Sequence, residues 1–250
     1  MSQVKRLRVV ATIEARMGSS RLPGKVLMPA LDEPMLMHQV RRLRTVPSID
    51  EVVIATTTSP MDDAIVAFAA AAGIACFRGS EDDVLARVIA AGESADAQVL
   101  VEITGDCPVI DPDLVEQTIR MFLQHEVNYA SNSIVRSYPD GMDTQVISMA
   151  ALKESARLTS DPLDREHVSR YLWQRPQQYR IVHLVAPPSL HWPGLGLTLD
   201  EEGDYLLLKK IIETLATADP LFSCLDMIQL LKTNPTWLEL NKAVVRKGAD

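Results

Sequence analysis

Apolar positions along this chain switch between two periods, and the alternation predicts the architecture. Short unbroken apolar runs at Leu7–Ile13, Glu51–Thr56, Ile74–Phe77 and Gln98–Thr104 read as buried strands. Between them the apolar residues recur at helical spacing. Met35, Leu36, Gln39, Val40 and Leu43 do so after Pro34, which the pattern places at the first helical position. An alanine-rich helix over Asp62–Ala72 closes at Gly73. A strongly amphipathic helix over Pro112–His125 carries Leu114, Val115, Thr118, Ile119 and Phe122 on one side. Val127–Asn132 adds a strand. Strand alternating with helix predicts an α/β fold, a three-layer α/β/α arrangement around a mostly parallel, Rossmann-like sheet. No repeat, low-complexity tract or linker interrupts it, so one domain over residues 1–250 is expected.

The second half is less regular. A polar, turn-rich loop spans Ser137–Thr144, and a helix is expected over Ala150–Leu158. Asp164 opens a helix running to Trp173, and Arg180–Val185 is a strand. After a proline-broken loop over Pro187–Gly196, Leu197–Leu199 ends a short strand. The helix that follows buries Leu208, Ile211, Ile212 and Leu215. Ser223–Lys232 is helical, a short helix follows the turn at Pro235, and Lys242–Asp250 is expected to fray.

Composition narrows the partners. Apolar residues make up 47%, enough for a sizeable core, while a net charge of −8 argues against nucleic acid or an anionic membrane. The apolar run after the basic first residues is too short for a signal peptide, and no stretch approaches the length of a membrane span. Cys76, Cys107 and Cys224 are scattered without metal spacing, which suits a reduced, cytoplasmic protein.

The candidate chemistry starts at the loop after the first strand. Ala15-Arg16-Met17-Gly18-Ser19-Ser20-Arg21-Leu22-Pro23-Gly24-Lys25 concentrates three cations, two hydroxyls and two glycines where an α/β protein grips a polyphosphate. It is not a Walker A loop: five residues separate Gly18 from Gly24, and Val26 stands where the Mg²⁺-binding hydroxyl belongs. At the end of the fourth predicted strand, Asp106 in Gly105-Asp106-Cys107-Pro108 is placed to hold a metal against phosphate oxygens, although an aspartate before proline also stabilises turns. No His or Glu stands out as a general base.

The run from Arg16 to Leu27 resembles the signature of the sugar cytidylyltransferases, which include the Kdo and acylneuraminate enzymes and a spore-coat polysaccharide branch. That resemblance extends over most of the chain and implies the nucleotide-diphospho-sugar transferase fold. It implies transfer of CMP from CTP to an acidic sugar with Mg²⁺ as cofactor, commonly in a homodimer. Arg16, Lys25 and Asp106 are then the catalytic candidates. Gly105-Asp106-Cys107-Pro108 matches the family's metal motif, and Asp200 is the counterpart of a second metal ligand, with Glu201-Glu202-Gly203 departing from the family pattern; an N-cap is its ordinary reading. Ala15, Met17, Gly18, Ser19, Ser20, Arg21 and Thr104 join the nucleotide site, the Ala15 and Met17 backbone lying near the base. Ser80 and Arg87 belong to a segment that lies over the nucleotide in the family, though Ser80, with Glu81 and Asp82 behind it, reads equally as a helix cap. Asp140 and Asp143 are expected to reach toward the sugar, and Arg165, Glu166 and His167 to face its carboxylate. Glu102 stands where relatives often carry Arg. Two rival readings stay open: a nucleotidyltransferase with another nucleotide or acceptor, and an inactive nucleotide-binding homologue.

Overall fold

The computed structural model describes residues 6–246. Residues 1–5 and 247–250, with the basic start of the chain and the last part of the predicted tail, lie outside that description. Within it, the predicted parallel core is present. Strand β1 (Val9–Glu14) pairs in parallel with β4 (Glu51–Thr57) on one side and with β6 (Val99–Thr104) on the other; β5 (Ala75–Gly79) extends the first side. The hairpin of β2 (Pro29–Ala30) and β3 (Glu33–Pro34) stands apart. Beyond β6 the direction changes. A long loop joins β7 (Tyr129–Ser131) to its neighbour β8 (Gln145–Ser148), so β8 runs back antiparallel to both β6 and β7, and β9 (Ile181–His183) closes the edge beside β7.

Helices cover both faces, as the alternation predicts. Val9, Ala11 and Ile13 of β1 point to one layer, against α1 (Met35–Arg44), α2 (Asp63–Ala71) and α4 (Pro112–His125). Val10 and Leu100 point to the other, with α3 (Val84–Ser94) and α5 (Met149–Leu158). The short helices α6 (Pro162–Glu166) and α7 (Arg170–Trp173) flank that layer. A separate apolar cluster packs α8 (Glu202–Leu215) and α9 (Cys224–Thr233) against Leu195, Leu197 and Leu199. Arg42 ties this part to the sheet. It is 2% exposed and donates to the carbonyls of Ile110 and Pro220, each at 2.9 Å, and to that of Phe222, while its guanidinium lies 4.3 Å from the Phe222 ring centre.

Several boundaries differ from the sequence pattern, each for a local reason. Pro34 pairs in the hairpin and caps α1 in extended conformation, so the helix begins at Met35. Asp83, not Ser80, caps α3; its side chain accepts from the Ala86 amide at 2.9 Å, and Ser80 Oγ accepts from the Asp83 amide to close the preceding turn. The single helix expected from Asp164 to Trp173 breaks at His167, whose backbone leaves the helical region. Leu197–Leu199 stay out of the sheet; the Leu197 amide donates to the Asp140 carbonyl at 2.8 Å, beside an isolated parallel bridge between Asp140 and Gly196. Asp200 is not an N-cap: Glu201 caps α8, and Asp204 completes the capping box. The tail is held as far as residue 246, because Arg246 donates to Asp204 at 2.7 Å.

Candidate active site

Strands β1 and β6 end side by side, and their following loops meet. The Gly105 amide donates to the Glu14 carbonyl at 2.9 Å, and a Cβ at residue 105 would lie 2.6 Å from that oxygen. Only glycine allows the approach that brings Asp106 to the tip of β1. Thr104 Oγ1 donates to Asp106 Oδ1 at 2.6 Å and fixes its rotamer.

The basic loop is held by its own backbone and by Asp62. The Met17 carbonyl accepts from Ser19 and Gly24 at 3.0 and 2.9 Å. The Met17 amide donates to Asp62 Oδ1 at 2.7 Å. Burial works against the Asp62 charge, but this bond and those from Thr57 outweigh it and hold the carboxyl below its usual range. Gly24 has φ +73°, and the 3-10 turn Lys25–Leu27 begins directly after it. Lys25 thereby enters a cleft of about 230 Å³ whose lining also includes Arg16, Arg21, Thr104, Asp106 and Asp200. Its ammonium lies 3.1 Å from Asp200 Oδ1 and 3.6 Å from Asp106 Oδ2. Arg21 reaches Asp200 at 3.0 Å and Glu201 at 3.3 Å. The Leu199 amide donates to the Asp106 carbonyl at 2.8 Å, which ties the two aspartate-bearing loops together. Burial raises Asp200, yet the charges of Lys25 and Arg21 win and keep it below the ordinary carboxylate range.

Among the described residues no cluster of three or more His, Cys, Asp or Glu side chains could hold a metal. Two carboxylates that converge on one ammonium nevertheless offer oxygen donors to a hard cation at the position of Lys25 Nζ, and a bound triphosphate would supply further oxygens.

The other predicted residues divide. Arg16 pairs with Glu81 at 3.1 Å at the rim; Ser19 and Ser20 line the cleft, and Gly18 is exposed. Arg87 is 4% exposed and does not lie open to the cleft: it donates to the carbonyls of Ser80 and Glu81, and Gly79 makes room for it. Arg165 donates to Asp83 and to the Ala156 carbonyl, so its guanidinium serves a helix cap. Glu166 and His167 are exposed and do not line the cleft. Asp140 and Asp143 are clasped by Arg136, at 3.5 and 2.7 Å. Burial pushes Asp143 up to about 6 and raises Asp140, with Arg136 opposing both. Burial likewise keeps the Cys107 thiol protonated, well above its usual range, which removes it as a nucleophile.

Glu14 is not among the residues that the sequence pattern singles out, and Glu102 has no partner in that pattern. Both sit on strands read as apolar, and both side chains point to the α3 layer. Burial raises both, and the charge of Glu14 raises Glu102 further. A carboxylate interrupting each of two central strands was the available signal. Gln145 Nε2 donates to Glu102. The larger groove, about 910 Å³, lies at the other end of the sheet near Leu7, Gln98 and Met149, away from all this chemistry.

Comparison with known proteins follows the same lines. A family model described as Cytidylyltransferase matches residues 10–227. The Bacillus subtilis spore coat polysaccharide biosynthesis protein SpsF is 33% identical over 232 residues, 91% of this chain and 95% of that protein. A solved cytidylyltransferase from Leptospira borgpetersenii superposes with a TM-score of 0.88 at 29% identity, covering 96% of this chain and all of that one. The fold is shared with a CMP:2-keto-3-deoxy-manno-octonic acid synthetase solved with CTP, at TM-score 0.59 and 19% identity over 82% of this chain and 98% of that one.

Proposed function

The chain belongs to the cytidylyltransferase family, and from that premise we propose that it transfers CMP from CTP to a hydroxyl of an acidic sugar, a 2-keto sugar acid such as Kdo or a nonulosonic acid, releasing pyrophosphate. One observation carries the reading: Lys25 bridges Asp106 and Asp200 inside the cleft that Arg16 and Arg21 also line. Mg²⁺ as the ion and a homodimer extend the reading on the resemblance, and a cytoplasmic location on the scattered cysteines, which are free in the structure. Among the described residues no helix is long and apolar enough to cross a membrane.

The ligand-free cleft neutralises itself. Arg16 is paired with Glu81, Arg21 with Asp200 and Glu201, and Lys25 with both aspartates. A triphosphate enters by partner exchange. The Arg16–Glu81 pair is half-exposed on both sides and contributes about 0–1 kcal/mol, so its loss opposes binding weakly; the more enclosed Lys25 and Arg21 pairs are replaced by the charge that the phosphates bring. The three cations then hold the β- and γ-phosphates and stabilise the leaving pyrophosphate. Asp106 and Asp200, freed from the ammonium, would hold the divalent ion, with Thr104 keeping Asp106 aimed. When bound, that ion supplies charge neutralisation at the phosphate and lowers the pKa of a coordinated hydroxyl. Positioning and electrostatics account for the chemistry asked of the protein.

The test is incubation with CTP, Mg²⁺ and a panel of 2-keto sugar acids, scored by pyrophosphate release and by mass spectrometry for CMP adducts. An adduct with at least one acid is expected. Pyrophosphate release with UTP or with a non-acidic acceptor, and none with the acids, would replace the reading.

A further inference from the structure

A triphosphate that takes Arg16, Arg21 and Lys25 from their carboxylates also removes the ion pairs that help to hold the loop carrying them. Another contact must keep the loop in place while it grips the ligand. The loop's own bonds close it into a ring: the Met17 carbonyl accepts from the Ser19 and Gly24 amides, and Ser19 Oγ accepts from the Leu22 amide at 3.3 Å. A ring closed on itself can still swing as a unit. Apart from the 3-10 turn that it enters at Lys25, the backbone of residues 16–25 makes a single hydrogen bond to the rest of the described chain. That bond runs from the Met17 amide to Asp62.

The surroundings of Asp62 suit it to this bond. It stands directly before α2, where an aspartate ordinarily caps the helix, yet its side chain bonds no amide of α2. It turns away instead. Oδ1 accepts from the Met17 amide at 2.7 Å; Oδ2 accepts from the Thr57 amide at 3.1 Å and from the Thr57 hydroxyl. Thr57 is the last residue of β4 and pairs with Gly79 of β5, so the central sheet anchors the far side of the carboxylate. At 1% exposure Asp62 is out of a ligand's reach, and none of its three donors is a side-chain cation that a phosphate would claim. The ion pairs of the loop change partners when a polyanion enters; the bond to Asp62 has no reason to.

We propose that Asp62 is a positioning residue of the reaction: through the Met17 amide it keeps the cationic loop aimed into the cleft after the phosphates have taken the loop's ion pairs. Asp62 itself touches no ligand. This rests on the reading of the cleft as a triphosphate site.

The test is calorimetric titration of the full chain with pyrophosphate and with CTP, each with Mg²⁺, for wild type and Asp62→Ala, at a temperature where thermal melting shows both folded. The variant is expected to bind pyrophosphate and CTP more weakly by the same factor, about tenfold or more, the size of a hydrogen bond to a charged group. A role confined to stability would lower the melting temperature and leave both dissociation constants as in wild type; that result overturns the proposal, as does a loss confined to one of the two ligands. Should the alanine variant not fold, hydrogen exchange of wild type, read by NMR, decides. The Met17 amide is expected to stay protected when magnesium pyrophosphate binds, because its acceptor does not change; exchange that quickens on binding overturns the role of Asp62. Wild type that binds pyrophosphate but not CTP removes the cytidylyltransferase reading and leaves Asp62 to be judged on pyrophosphate alone. Wild type that binds neither removes both.

Discussion

Two groups of carboxylates, one in the cleft and one beside it, solve opposite electrostatic problems. At the phosphate end, Lys25 and Arg21 meet Asp200 and Asp106 as partly exposed ion pairs, each charge compensated while the ligand is absent. Near β6 and β8, Glu14 and Glu102 are crowded and buried, and burial raises both; Asp143 beside them is raised too, although it is a quarter exposed and paired with Arg136. The first arrangement is poised to exchange partners with a polyanion. The second is a fixed hydrogen-bonding surface. The contrast teaches that neighbouring charges in one fold can be settled in two ways, by ion pairs near the surface and by burial with hydrogen bonds inside.

The sharpest way to break the contrast is Asp106→Ala. If Asp106 holds the catalytic cation, turnover is expected to fall roughly a thousandfold, at the upper end for loss of one electrostatic stabiliser, with the melting temperature nearly unchanged because the side chain is partly exposed. Wild-type pyrophosphate release would remove the phosphate end from the chemistry. Lys25→Ala comes next. The CTP requirement is expected to rise about tenfold, as for loss of a charge-assisted hydrogen bond. The two aspartates then lack their ammonium, so Mg²⁺ alone is expected to raise the melting temperature of this variant more than that of wild type. Equal shifts would show that the ion does not compete with Lys25 for the same carboxylates.

A smaller effect separates scaffold from site. Arg246→Ala removes a donor from Asp204, which is fully buried and caps α8 directly behind Asp200. A loss of about 1–2 kcal/mol is expected, or a few degrees in melting temperature for a chain of this size, with CTP affinity changed less than by Lys25→Ala. The reverse ranking would make Arg246 part of the phosphate end.

How legible was this in the sequence? The phosphate end is written largely in contiguous residues. A loop from Arg16 to Lys25 and a turn around Asp106 each follow an apolar strand, and strand order then forces them together. Helix Pro112–His125 was equally readable, because a proline start and an unbroken amphipathic period leave little choice. The other end is assembled from Glu14, Glu102, Gln145 and Ser169, on elements far apart in the chain, and nothing local announces it. Glu102 looked like a lost arginine contact; its buried partner explains why a carboxyl is tolerated there. Arg165 shows the opposite case: its motif is local, but its partner in the fold, Asp83 across the α3 layer, is far away in the chain. The break at His167 and the switch of cap from Ser80 to Asp83 were likewise decided by tertiary partners rather than by propensity.

The most delicate test of the rigid end is its pH dependence. Asp143 has an ordinary value of 3.8 and is pushed up to about 6 by burial, against the pull of Arg136. Between those values the folded protein holds a proton that the unfolded chain has released. That contribution therefore favours folding less and less as pH rises from about 4 to about 6, and the penalty is complete above it. Other carboxyls, such as Asp200, drift the opposite way, so the difference between variant and wild type is the quantity to measure. In urea denaturation at pH 4, 5, 6 and 7, the stability of Asp143→Asn relative to wild type is expected to climb across that window and then level off. A flat difference would mean that Asp143 ionises freely with Arg136, and that the β6–β8 end is as adaptable as the phosphate end.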